Sequence, residues 1–146
     1  MKTSLLIGLL LTGATTTLAQ ANPAPGSLTV NVTGFGNTRG QCALWLFTTA
    51  DGFPSDNKKA FRCAETPITG PTSQYVFTNL PAGSYALGVF HDENGNHKLD
   101  ANVFHIPKEA YGISNDVRGG MGGPPTFDQA KITVSQTGLA ITIKVR

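Results

Sequence analysis

Residues 83–100 read GSYALGVFHDENGNHKLD, an apolar run that passes directly into a dense set of oxygen-bearing side chains. Apolar residues occupy both the odd and the even positions of residues 85–90, so an extended segment there would be apolar on both faces. A strand of this kind is typically buried on both sides, at the centre of a sheet. The sequence therefore predicts a buried central strand over residues 84–91 that leads into a polar loop.

Six further segments have the composition of short strands. Residues 28–33 and 139–145 alternate between apolar and polar side chains, whereas residues 41–47 are apolar on both faces. The other three predicted strands are residues 58–65, 73–79 and 130–135. A hairpin turn at Gln136-Thr137-Gly138 is predicted between the strands at residues 130–135 and 139–145. Seven short strands without a convincing amphipathic helix predict an all-β fold, an antiparallel seven-stranded Greek-key β-sandwich.

Residues 92–125, which we call the excursion, separate the central strand from the last two strands. A connection of this length is usually either functional or disordered. The excursion contains too many apolar residues for a disordered segment, so we expect it to be ordered and packed. Because ordered loops commonly contact ligands, we predict a binding surface on it. The residues proposed for this surface are Tyr111, Ile113, Asn115, Asp116 and Arg118.

The N-terminus has the organisation of a secretory signal peptide. Met1-Lys2 supplies a positive end, Leu5–Leu11 an apolar stretch and Ala19-Gln20-Ala21 an A-x-A cleavage signal. The apolar stretch is too short for a membrane span, so no transmembrane helix is expected in the mature chain. We predict a signal peptide over residues 1–21, a leader over 22–27, and a single domain over 28–146 that is exported to the periplasm or secreted.

The chain contains two cysteines, Cys42 and Cys63. In an oxidising compartment an even number of cysteines usually indicates a bridge, so we predict a Cys42–Cys63 disulfide. Closing a loop of about 20 residues would stabilise the fold by roughly 3 kcal/mol in the chain-entropy model.

The charge composition argues against a nucleic-acid partner. Eleven Lys and Arg residues face nine Asp and Glu residues, for a formal net charge of +2. The bases are dispersed along the chain and form no basic stripe of the kind that phosphate backbones require.

The polar loop after the central strand has the ligand spacing of a calcium loop. The expected ligands are Asp92, Asn94, Asn96, the Lys98 carbonyl and Asp100, at positions 1, 3, 5, 7 and 9 of the EF-hand pattern. Two positions depart from it, since His97 replaces the usual glycine at position 6 and Val103 replaces the bidentate glutamate at position 12. We therefore expect weak Ca²⁺ binding, on the order of 10⁻⁴ to 10⁻³ M. Glu93, Glu109 or Asp116 could strengthen it by folding back onto the loop.

Three alternatives to the calcium loop remain open. Asn94-Gly95 is a preferred hairpin-turn dipeptide, and Asx side chains can cap a loop without a metal. His91, His97 and His105 could bind a transition metal together with Asp92 or Asp100. A metal-dependent or hydrolytic enzyme could use His91, Asp92 and His105, although the chain has neither a G-x-S-x-G nor an H-E-x-x-H motif.

From Leu28 to Val145 the chain resembles domain-of-unknown-function family 2141, a family of exported bacterial domains. The motifs that support the resemblance are Gly40-Gln41, residues 51–54 (DGFP), 80–86 (LPAGSYA), 89–96 (VFHDENGN), 98–100 (KLD), 106–109 (IPKE), 111–115 (YGISN) and 123–125 (GPP) with Phe127. The resemblance implies a transthyretin-like or carboxypeptidase-regulatory-like sandwich outside the cytoplasm and no established activity. His97, His105 and Ala110 stand where glycine is usual in the family, and the two cysteines are particular to this chain.

Together these observations predict a function without catalysis. We expect an exported binding or structural module of the bacterial envelope, with a weak Ca²⁺ loop that orders the excursion. The expected partner is a glycan, a peptide or an envelope protein.

Overall fold

The computed structural model describes residues 26–104 and 106–146. The predicted signal peptide and most of the predicted leader lie outside the described residues. The strands are β1 (Gly26–Thr33), β2 (Gln41–Phe47), β3 (Arg62–Pro67), β4 (Thr72–Leu80), β5 (Gly83–Asp92), β6 (Tyr111–Ile113), β7 (Ile132–Val134) and β8 (Leu139–Lys144). Short 3-10 turns lie at Asn57–Lys59 and Ser114–Asp116, and one α-helical turn, α1, at Phe127–Ala130. No helix in the described residues has the length and apolarity that spanning a membrane requires.

The strands form two sheets, so the prediction of an all-β sandwich is confirmed. In the first sheet the strand order is β4-β1-β8, with β1 antiparallel to β4 and parallel to β8. In the second sheet the order is β3-β2-β5-β6, and all these neighbours are antiparallel. Strand β5 pairs with β6 over Gly88–Phe90 and with β7 over Gly83–Tyr85.

The two sheets enclose the main hydrophobic core. Alternate side chains of β1, namely Leu28, Val30 and Val32, are completely buried against residues of the second sheet such as Leu44 and Leu87. Every residue of β5 from Tyr85 to Asp92 is buried, which confirms the predicted central strand. Because β2 and β5 are buried on both faces, the second sheet also requires a cover on its outer side.

A smaller core lies on that outer face. It is formed by Ala43, Trp45 and Phe47 of β2 with Phe90 of β5. The residues that pack against it are Phe53, Ala60 and Leu99 from connections, Tyr111 from β6 and Phe127 from α1. The excursion is therefore packed on the protein over part of its length, as its apolar content predicts.

The structure corrects the predicted strand count and pairing. The described residues contain eight strands because the excursion adds β6, and the parallel pairing of β1 with β8 makes the first sheet mixed. The predicted hairpin at residues 136–138 is wrong, since β7 pairs with β5 in one sheet and β8 with β1 in the other. Alternation of apolar residues indicates which face of a strand is buried but does not identify the strand beside it.

The predicted disulfide is not formed, and Cys42 and Cys63 are both free. Cys42 lies opposite Thr66, whereas Cys63 lies opposite Trp45, three positions further along β2. Since successive side chains of a strand point to opposite faces, the two thiols lie on opposite sides of the sheet. Cys42 is in the main core, where burial raises the pKa of its thiol to about 12, and Cys63 is exposed.

The two thiols should differ in reactivity. In native protein purified without reductant, iodoacetamide should alkylate Cys63, whereas Cys42 should react only after denaturation, because only a solvent-accessible thiolate is nucleophilic. Mass spectrometry of tryptic peptides measures both sites. Two unreactive cysteines in the denatured, unreduced protein would show that they are bridged and would contradict this arrangement.

Candidate functional site

The end of strand β5 directs two neighbouring polar side chains to opposite sides of the second sheet. His91 lies opposite Cys42 in the register and faces the main core, where its Nε2 donates to the Arg39 carbonyl at 2.7 Å. Asp92 lies on the outer face and is completely buried. His91 and Asp92 therefore do not form one site, and His105, the third residue of the enzyme alternative, lies outside the described residues.

Asp92 caps the loop that follows it. Its Oδ1 accepts hydrogen bonds from the amides of Gly95 and Asn96 at 2.8 and 3.2 Å, and its Oδ2 accepts one from the His97 amide at 2.8 Å. The loop can present these amides to one carboxylate because Gly95 and His97 have φ values of 69° and 60°. The strained position that the sequence predicts for His97 is therefore present, in the left-handed region that favours glycine.

The other predicted calcium ligands form a second set of hydrogen bonds. Asn94 and Asn96 donate through Nδ2 to the two carboxylate oxygens of Asp100 at 2.7 and 2.9 Å. These bonds lower the pKa of Asp100, with Asn96 the larger influence. The amide oxygens of the two asparagines instead accept from backbone amides, at 3.0 and 2.9 Å. A cation beside Asp100 would require both amide groups to turn their oxygens towards it.

Glu109 folds back onto the loop from the far side of the excursion. Its two carboxylate oxygens accept from the amides of Glu93 and Asp100 at 3.2 and 3.0 Å. Burial is the main cause of its raised pKa, and the charges of Asp92 and Asp100 raise it further. Three carboxylates, those of Asp92, Asp100 and Glu109, are thus concentrated at the base of the excursion.

Glu65 joins this corner of the molecule, although the sequence did not indicate it. Its Oε1 contacts Nδ1 of His97, and the hydrogen bond that this carboxylate accepts from the imidazole raises the pKa of His97. Glu65 lies on β3, on the same face of the second sheet as Asp92. No local signal could have linked residues 65 and 97, because only the pairing of β3 with β2 and of β2 with β5 brings them together.

A cleft of about 600 Å³ lies between the excursion and the outer face of the second sheet. The sheet provides Trp45, Val89 and Phe90, and the rings of Trp45 and Phe90 meet edge to face at 4.6 Å. The excursion contributes most of the rest, namely Leu99, Ala101, Phe104, Ile106, Pro107, Tyr111, Ile113, Gly119, Gly120 and Gly123–Pro125. No charged side chain lines the cleft within the described residues, where the side chains with a polar group are Ser55, Tyr111 and, through its indole N–H, Trp45.

The five residues predicted as a binding surface divide into two groups. Tyr111 and Ile113 line the cleft. The others are exposed and lie to one side, where Asn115 donates to the carbonyls of Gln129 and Lys131 at 3.1 and 3.0 Å, and Asp116 pairs with Arg146 at 3.2 Å. Arg118 is also exposed.

Sequence reasoning missed Trp45, Phe104 and Ile106 as cleft residues. One signal was present for Trp45, because a strand that is apolar on both faces requires a cover on each. The path of the cover, and hence the unfilled volume beneath it, depends on side-chain packing that no local pattern encodes.

A family model described as "Uncharacterized protein conserved in bacteria (DUF2141)" matches residues 30–142. No curated protein matches the chain. No solved structure matches it either.

Replacing the capping carboxylate should destabilise the protein strongly. Asp92→Ala leaves the amides of Gly95, Asn96 and His97 without their acceptor, and we expect the free energy of unfolding in chelator to fall by about 3 kcal/mol. Urea unfolding followed by far-UV circular dichroism measures the change. Asp51→Ala is the control, since it removes only an exposed ion pair with Lys59 and should change stability by less than about 0.5 kcal/mol. Equal effects of the two substitutions would contradict the capping role.

Proposed function

This chain belongs to the DUF2141 family of uncharacterized bacterial proteins, and from its own geometry we propose that it is an exported, non-catalytic binding module. We further propose that its ligand occupies the apolar cleft and that a Ca²⁺ ion in the Asp92–Asp100 loop holds the excursion in place. A transthyretin-like relationship of the sandwich is part of the same proposal.

The observation that supports a binding role most directly is the cleft itself. Ligand sites are typically concave, predominantly apolar and lined by aromatic side chains, and a volume of about 600 Å³ lies in the range of such sites. A glycan would require many hydrogen-bonding side chains, whereas the described lining offers only Ser55, Tyr111 and the indole N–H of Trp45. Of the expected partners, we therefore favour a peptide segment of an envelope protein that inserts aliphatic or aromatic side chains.

The exposed apolar side chains of the excursion support the same choice. Six large apolar residues are exposed among the described residues, and four of them belong to the excursion: Val103, Phe104, Ile106 and Met121. Phe104 and Ile106 line the cleft although 78% and 58% of their surfaces are exposed. A concentration of exposed apolar side chains is typical of a protein-interaction surface.

Two observations support a Ca²⁺ ion in the loop. Asp92, Asp100 and Glu109 supply three carboxylates at one end of the excursion, and hard cations bind oxygen ligands of this kind. The three side chains would have to move closer together to share one ion. His97, at position 6 of the calcium pattern, also has the left-handed backbone that the usual glycine provides for the sharp turn there.

One observation favours a second candidate, a metal-free binding or structural module. The carboxylate of Asp92 already accepts three backbone hydrogen bonds, so the loop has an internal means of holding its shape. The enzyme alternative has less support, since His91 and Asp92 lie on opposite faces of the sheet.

Ligand binding in the cleft can be measured by intrinsic fluorescence, because Trp45 is the single tryptophan of the chain and lines the cleft. Titration with N-phenyl-1-naphthylamine, a neutral apolar probe, should quench Trp45 saturably. Peptides rich in Leu and Phe should displace the probe, and oligosaccharides should not. Displacement by oligosaccharides alone would contradict the choice of a peptide ligand.

Two neighbouring substitutions provide a matched test of the cleft. Phe104→Ser removes an apolar side chain from the lining, so the dissociation constant for the probe should rise about 5- to 10-fold. Val103→Ser removes an adjacent side chain that is even more exposed, at 88%, and does not line the cleft, so it should leave the constant unchanged. If both substitutions raised the dissociation constant equally, or if neither changed it, the probe would bind elsewhere.

Calcium should stabilise the protein if it occupies the loop. At ten times its dissociation constant, Ca²⁺ adds about 1.4 kcal/mol to the free energy of unfolding, so the melting temperature should rise between chelator and about 10 mM CaCl₂. The same titration with Asp100→Ala should show no rise, because a ligand is missing. An unchanged melting temperature in the unsubstituted protein would favour the metal-free module.

A further inference from the structure

Three side chains of different elements meet beside the Asp92–Asp100 loop. Glu65 extends from β3, Asp92 ends β5 and His97 lies in the loop, and one ligand atom from each lies within 4.8 Å of the others. Among the residues that the structure describes, this is the one group of three His, Cys, Asp or Glu side chains that close together.

We propose that Glu65, Asp92 and His97 bind a divalent transition-metal ion of the Zn²⁺ class, with a fourth coordination position open to water. One imidazole nitrogen with carboxylate oxygens is a donor set that zinc accepts, and imidazole favours transition metals over Ca²⁺. The proposal depends neither on the cleft nor on a Ca²⁺ ion in the loop.

The geometry requires only small side-chain movements to close around an ion. Ligands at about 2.1 Å in a tetrahedral site lie roughly 3.4 Å apart. The Oε1 of Glu65 and the Nδ1 of His97 are now closer than that and must separate, whereas ligand atoms at the 4.8 Å limit of the group must approach by up to about 1.4 Å. The side chains of Glu65 and His97 are 33% and 62% exposed and are free to make this adjustment. Asp92 is the fixed member, because backbone amides hold its carboxylate.

Asp92 retains capacity for a metal despite its hydrogen bonds. A carboxylate has about four lone-pair positions. Two amides occupy Oδ1, but only the His97 amide occupies Oδ2, which leaves one position on that oxygen. The amide on Oδ2 belongs to His97, which also supplies the imidazole, so this hydrogen bond holds Asp92 and His97 next to each other.

Charge and the present contact between Glu65 and His97 also favour a cation. Two carboxylates lie near one imidazole, and the Oε1 of Glu65 accepts a hydrogen bond from the Nδ1 of His97 when that nitrogen carries a proton. A metal ion bound at Nδ1 would replace that proton and neutralise both carboxylates.

The backbone at His97 provides an independent argument for a ligand role. Its φ of 60° is better suited to glycine, which would relieve strain there. Histidine at such a position costs stability, and strained residues often persist where their side chain has a function. In the structure this side chain contacts Glu65, and its ligand atom lies within 4.8 Å of a carboxylate oxygen of Asp92.

Isothermal titration of the untagged full chain with ZnCl₂, after removal of metals by chelator, tests the proposal. We expect one site with a dissociation constant on the order of 10 μM or tighter. With CoCl₂ as the second probe, visible absorption should report a four-coordinate site with a nitrogen ligand. Absence of saturable Zn²⁺ binding would overturn the proposal.

The deciding variant is His97→Gly, which removes a ligand while supplying the residue that the local φ favours, so that it should fold at least as well. Zn²⁺ affinity should fall at least tenfold in His97→Gly and in Glu65→Gln, and should stay unchanged in Glu93→Gln, a neighbouring carboxylate outside the group. Unchanged affinity in His97→Gly would place the metal at other histidines and overturn the proposal. His97→Gly keeps the carboxylates of the calcium loop and the lining of the cleft. Stabilisation by Ca²⁺ and binding of the probe should therefore persist in this variant. Failure of the zinc site can in this way be distinguished from failure of the proposed function.

Discussion

Burial of both faces of β2 and β5 imposes the main constraint on this structure. Their inner faces pack against β1, but Trp45, Phe47 and Phe90 project from the outer side and would be exposed in a plain two-sheet sandwich. Burying a large apolar side chain contributes about 2 to 3 kcal/mol, so leaving three of them uncovered would remove a large share of a typical domain's stability. The excursion supplies part of that cover through Leu99 and Tyr111, and the cleft is the part of the outer interface that it leaves unfilled.

The backbone of the excursion must leave β5 and rejoin the sheet at β6 without unpaired polar groups. At its entry, the buried Asp92 provides acceptors for three consecutive amides, and Glu109 provides acceptors for two more from across the loop. At its return, β6 joins the sheet beside β5, and the backbone of Tyr111 exchanges hydrogen bonds with Arg146. The polar loop and the apolar cleft are therefore parts of one structure, because the first positions the wall of the second.

The sequence was most informative where a single segment determines its own environment. Apolar residues on both faces of 85–90 predicted a central strand, and alternation located β1 and β8 closely. Topology determines the partners of those strands, the crossing between β7 and β8, and the separation of Cys42 from Cys63. The local alternation of apolar and polar residues does not predict topology. The candidate site divides in the same way: Asp92, Asn94, Asn96 and Asp100 could be read from spacing, but Glu65 becomes a neighbour of His97 only through two strand pairings.

The parallel pairing of β1 with β8 has a consequence for the order of folding. This ladder sets Leu28 beside Leu139, so a strand near the beginning of the described chain finds its second neighbour only near the end. Contacts between such distant residues require a costly loop closure before they contribute any stability, and proteins rich in them fold slowly. Until the C-terminal strand arrives, one edge of β1 stays unpaired and available to other chains, which makes the interval between synthesis and docking of β8 the period of greatest aggregation risk for this protein.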